Sequence, residues 1–171
     1  MNRQRKRLVV GIGSPHGDDI SAWRLMEELK PMVGSTADLR KAASPHDLLD
    51  WLDGIEHLDV VDACQSKDPV CCYDLSAGVG GTDRAVPVRM HATRDEVSTG
   101  FGTIPKTRSL CTHQFDLVQT LELAETLQKL PDIVRLWTLA SEDFAPGSEL
   151  SATSNHSVEL AKQLLVAELD G

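Results

Sequence analysis

The run RLVVGIG, residues 7–13, constrains the fold more than any other stretch of the chain. It is short, rich in β-branched residues, apolar at successive positions and ended by glycine. A strand of that kind is buried on both faces, as in a parallel sheet. Residues 18–32 then read as a helix. Asp18 and Asp19 favour its N-terminus, and Ile20, Trp23, Met26 and Leu29 recur every three residues along one face. Pro31 and Gly34 are expected to end it.

The rest of the chain repeats this alternation. Ala37 to Ala43 is a second strand, placed at an edge or strand end by Arg40 and Lys41. SPHDLLDWLDG is a short helix, capped by Ser44, with Pro45 at its first position and Gly54 closing it. HLDVVDAC, residues 57–64, is the next strand, followed by strands over 70–75 and 85–90. Residues 93–111 are rich in Gly, Ser and Thr and read as a long loop. HQFDLVQTLELAETLQKL, residues 113–130, is a strong helix stopped by Pro131. A strand over 133–140 and a last helix around 157–169 complete the series. Such alternation implies an α/β sheet covered by helices on both faces. With 171 residues and no repeat, linker or low-complexity block, the chain reads as a single domain, 1–171. Residues 1–6 form a basic N-terminal overhang and residues 7–169 the folded part.

Charge narrows the function. A net charge of -9 argues against broad binding of nucleic acid, whose phosphates need a positive surface. No segment approaches the roughly 18 apolar residues of a membrane span, and no signal-peptide core follows the basic start. The cysteines, Cys64, Cys71, Cys72 and Cys111, match no CxxC pattern. They read as free thiols, and the compartment as reducing cytoplasm.

In sheets of this class ligands sit beyond the carboxyl ends of the strands. There the sequence places Asp18 and Asp19 after the first strand, Asp62 near the end of HLDVVDAC, and His113 at a helix start after the long loop. Two carboxylates and an imidazole suit a borderline divalent metal such as nickel or zinc better than calcium. Each residue also has an ordinary role. An aspartate beginning a helix commonly caps it, a carboxylate at a strand end can simply meet water, and a histidine there can cap or face solvent. His16, in the turn, is either a fourth ligand or a solvent-facing residue. Spacing alone leaves these alternatives open.

A phosphate site is disfavoured. Gly11 and Gly13 supply GxG, but His16 occupies the third position of GxGxxG, and two aspartates would repel a pyrophosphate. No GxxxxGK(S/T), HExxH or GxSxG sequence occurs, and Cys111 and His113 are too local to each other for a nucleophile and base.

The motifs VVGIGSPHGDD, DVVDACQ and CTHQFDLVQTLELAETL, with KLPDIVRLWTLASEDFAPGSELS after them, occur in the order found in one family. Over residues 7 to 168 the chain resembles the maturation endopeptidases of [NiFe] hydrogenases. The resemblance implies a three-layer α/β fold, with a twisted, mostly parallel sheet of about five strands and helices on both faces. It also implies removal of a C-terminal extension from a hydrogenase large-subunit precursor after nickel insertion. The family's metal-contacting acid, aspartate and histidine fall on Asp19, Asp62 and His113. They engage nickel carried by the substrate, for which cadmium or zinc can stand in.

Three departures mark this chain. Ser14 replaces the usual asparagine of the first turn, and that turn is one residue shorter. The glycine that often follows the acid pair is absent. KAASPHDLL stands where the family has a GT-containing motif. Two other readings therefore accompany the endopeptidase: a non-catalytic relative that binds a nickel-loaded partner, and a small-molecule α/β hydrolase or nucleotide binder.

Overall fold

The structure, a computed structural model, describes residues 6–76, 86–87 and 113–170. The strand expected over 85–90 lies mostly outside them. The loop expected over 93–111, with Cys111, lies wholly outside.

The chain runs β1 (Arg7–Ile12), a 3-10 turn (Gly17–Ile20), α1 (Ser21–Val33), β2 (Asp38–Ala42), a 3-10 helix (Pro45–Asp50), β3 (His57–Cys64), β4 (Val70–Asp74), β5 (Val86–Pro87), α2 (Gln114–Thr126), β6 (Ile133–Ala140) and α3 (Ala152–Asp170). The sheet order is β2-β1-β3-β6-β4-β5. The first four strands in that order run parallel, whereas β4 pairs antiparallel with both β6 and β5. Five substantial strands and a two-residue sixth match the expected mostly parallel sheet.

Two-residue periodicity divides the core into two layers. Val9, Val61, Trp137 and Leu139 face α1 and α3, meeting Leu25, Leu29, Ala161 and Leu165. Leu8, Val10, Ile12, Leu58, Val60 and Leu136 face the opposite side, where Leu48, Leu52, Leu117 and Leu121 cover them. Each fully buried leucine of these layers contributes about 1.5–3 kcal/mol of transfer free energy. β3 is the centre of this arrangement, and all eight of its residues are buried.

A polar group is built into the first layer. Asp59, fully buried, accepts from Arg7 Nε at 2.7 Å and Trp137 Nε1 at 2.9 Å. His57 Nε2 lies 3.3 Å from the same carboxylate. Burial alone would push this carboxyl up, but His57 and Arg7 hold it below the usual range.

Several helix boundaries differ from expectation. Pro31 lies inside α1 rather than ending it. Its ring deprives only the carbonyl of Glu27, on the exposed side, where water can replace the lost bond. The segment after Ser44 is 3-10 rather than α, although its cap is as expected. There Ser44 Oγ accepts from His46 N, and the Asp47 carboxylate accepts from Ser44 N. α3 starts at Ala152, five residues before the expected 157, because Ser151 Oγ accepts the Ser154 N–H and caps the additional turn.

Candidate metal centre

β1 continues through α1 to β2 on one side, whereas β3 lies on its other side and leads on toward β4 and β6. The crevice beyond the carboxyl ends of β1 and β3 is therefore a topological switch point, where α/β sheets place their ligands. Three side chains converge there.

Asp62 is the third member of the Leu58, Val60, Asp62 row that faces α2, so its carboxylate emerges on the side where that helix begins. His113 is the residue before α2. It makes no side-chain cap bond; instead its Nδ1 lies 3.2 Å from Asp62 Oδ1. The same oxygen accepts the Ala63 N–H at 2.9 Å. Asp19 comes from the turn after β1. That turn lies close over the strand because β1 and its end carry glycines: a Cβ on Gly11 would stand 2.6 Å from the Ala22 carbonyl oxygen, and one on Gly13 would overlap that of Asp19. The GxG spacing serves close approach of turn to strand.

One ligand atom from each of Asp19, Asp62 and His113 lies within 4.8 Å of the others. Asp19 is 5% exposed and Asp62 is fully buried. Asp19 Oδ1 and Asp62 Oδ2 are buried and have no hydrogen-bond partner among the described residues. Two unpartnered carboxylate oxygens beside an imidazole nitrogen are costly in a closed site, and they fit a divalent cation. Burial, with a smaller push from Asp19, raises the Asp62 carboxyl; His113 and the Ala63 N–H offset only part of this. The hydrogen bond to Asp62 raises the His113 imidazole against its burial, and the charges of Asp62, Asp19 and Asp116 act in the same direction. The pair thus holds a proton that a metal would displace.

The structure keeps the other two candidate ligands out of this group. His16 is exposed on the turn. Asp18 is fully buried, but it does not cap α1 as expected. Its Oδ1 accepts from Ser151 N at 2.7 Å, and its Oδ2 from Glu142 N at 2.7 Å, Asp143 N at 3.0 Å and Ser151 Oγ at 2.7 Å. Burial pushes the Asp18 carboxyl up, and these bonds more than reverse the push. Sequence reading missed this role, because the partners lie more than 120 residues away and only the SxxS pattern at Ser151 hints at a cap. The cysteines also depart from expectation: Cys71 and Cys72 are free, but Cys64 is disulfide-bonded. Spacing cannot reveal a pairing that the fold creates. Among the described residues no helix is long and apolar enough to cross a membrane.

No protein-family model matches the chain, and no curated protein matches it by sequence. Solved structures do. The hydrogenase-maturating endopeptidase HybD from E. coli superposes with a TM-score of 0.68 at 19% identity, covering 96% of this chain and 92% of that one. The [NiFe] hydrogenase maturation protease HybD from Thermococcus kodakarensis gives 0.69 at 14%, over 96% and 99%. A hydrogenase 2 maturation peptidase from a Thaumarchaeota archaeon gives 0.60 at 20%, over 96% and 98%. With its strand order, two-sided helical cover and nearly end-to-end superposition, this chain has the fold of the [NiFe] hydrogenase maturation endopeptidases.

Proposed function

We propose that the protein is a nickel-dependent processing endopeptidase, acting in the cytoplasm as one domain on a [NiFe] hydrogenase large-subunit precursor. It removes the precursor's C-terminal extension after nickel has been inserted. The observation that carries this reading is the convergence of Asp19, Asp62 and His113 at the switch point of a fold shared with solved hydrogenase maturation endopeptidases. The nickel belongs to the substrate, and the three side chains are the donors that meet it. Nickel held there can polarise the scissile carbonyl or acidify a bound water.

The chain's own residues prepare for that encounter. Asp19 and Asp62 each present one unpartnered oxygen toward the incoming ion. Asp62 Oδ1 and His113 Nδ1 hold a proton between them, and its release frees both groups for coordination. β3 fixes the Asp62 backbone within the sheet, and the Ala63 N–H fixes its carboxylate rotamer. The charge of the set also selects cargo: two carboxylates draw a precursor that carries a divalent cation and repel one that exposes further acids.

Incubation with a nickel-loaded large-subunit precursor should shorten that precursor at its C-terminus, read by mass spectrometry. An unchanged mass with the cognate precursor would sink the proposal. A stable complex without cleavage would assign the chain to the non-catalytic relatives instead.

A further inference from the structure

Asp18 and Asp19 are adjacent, carry the same side chain and are both buried, yet they have opposite surroundings. Both oxygens of Asp18 are occupied, while Oδ1 of Asp19 has no partner among the described residues. Among the described residues nothing bonded to that oxygen fixes Asp19, and its charge is repelled by Asp62. Its position must come from the backbone that carries it.

We infer that Asp18 is a positioning residue, which locks the turn carrying Asp19 to the 141–151 segment and so holds Asp19 against Asp62 and His113. This rests on the reading of those three side chains as the working site. The lock has two sides. On the turn, Asp18 N donates to Asp143 O at 2.7 Å, while the Asp18 carboxylate accepts from Glu142, Asp143 and Ser151. Gly17, at φ 51°, lies so close that a Cβ would stand 2.5 Å from Asp143 O and 2.7 Å from Ser148 Oγ. At the sheet, Ser141 N donates to Cys64 O at 2.9 Å, two residues beyond Asp62 on β3. Ser154 Oγ reaches both Ala140 O and Ser141 Oγ, fastening the segment to α3.

One segment therefore braces the backbones of both carboxylates, at the turn and at the strand end. Two like charges kept close need such external restraint, since their repulsion would otherwise open the site. A displacement of about 1 Å at such a site can reduce turnover about a hundredfold.

The test is the crystal structure of the metal-free full-length protein beside those of two variants. Asp18→Asn sets two amide hydrogens against N–H donors. Ser151→Ala removes one of the four bonds to Asp18, along with the cap on Ser154 N, and changes no charge. In both variants the Asp19 carboxylate should stand about 1 Å or more farther from Asp62 and His113 than in the wild type, with Ser151→Ala showing the smaller displacement. An Asp19 carboxylate at its wild-type position in a folded variant overturns the inference, because a merely structural anchor would change stability alone. If Asp18→Asn does not fold, Ser151→Ala decides. The measurement uses neither metal nor precursor, so a wild-type protein that fails to process its precursor would refute the endopeptidase reading without touching this result.

Discussion

His113 Nδ1 lies 3.2 Å from Asp62 Oδ1, although 51 residues separate them in the chain. Both groups are held above their ordinary pKa values, and the proton they share competes with any metal. Nickel, zinc or cadmium affinity should therefore fall as pH drops through the raised His113 midpoint, by about tenfold per unit below it. Calorimetry in buffers of different ionisation enthalpy would show proton release on binding. Affinity independent of pH across that range would remove His113 from the donor set.

Under the proposed function, Asp62→Asn and His113→Ala should each reduce precursor processing by about two to three orders of magnitude, since each would remove one donor to the substrate's metal ion. Neither side chain belongs to the apolar layers that hold the sheet, so circular dichroism should stay near wild type. Normal processing by either variant would show that its assigned role is wrong.

The site also predicts a stability signature. Asp62 and His113 both have folded pKa values above their unfolded ones, so each gives up stability as pH rises through its folded midpoint. Asp19→Asn removes a charge that raises Asp62 and should stabilise the protein at neutral pH by about 1 kcal/mol. The corresponding rise in Tm is about 2–4 °C. Thermal unfolding at several pH values would check it, with the gain shrinking in acid as Asp62 becomes protonated. A lower Tm at neutral pH would mean that the Asp19 charge is compensated.

How far the sequence foretold this architecture depends on the range of the interactions concerned. The limits of β3 and β6 were legible as expected, because buried strands announce themselves through consecutive apolar residues. The Ser44 cap was legible because its partners lie within three residues. Asp19, Asp62 and His113 stood out because a polar residue at a strand end or helix start is conspicuous in a fold whose ligands bind there. Asp18 was misplaced for the opposite reason: a first-turn aspartate looks local, whereas its donors arrive from Glu142, Asp143 and Ser151. Cys64, expected as a free thiol, is disulfide-bonded, which no CxxC spacing signals. Pro31 was read as a stop because its sequence neighbours cannot show that the carbonyl it strands faces water.

Asp59, on the opposite side of β3 from Asp62, predicts the response to acid. Its carboxyl is held below the usual range despite complete burial, because His57 and Arg7 stand beside it. A depressed carboxylate contributes stability that is present above its unfolded pKa and lost as pH falls through its folded value. Resistance to unfolding in urea should therefore weaken as pH drops below about 4, the range of an ordinary aspartate. Asp59→Ala should cost about 3–5 kcal/mol, since it strands the Arg7 guanidinium and the Trp137 N–H in the core. Arg7→Ala should cost a comparable amount by leaving Asp59 short of a cation. The double variant should cost less than the sum, because removal of both charges leaves neither one buried alone. Additive losses in that cycle would show that Arg7 and Asp59 act independently. In that case the acid response would have to come from Asp18, whose depressed carboxyl changes stability in the same direction.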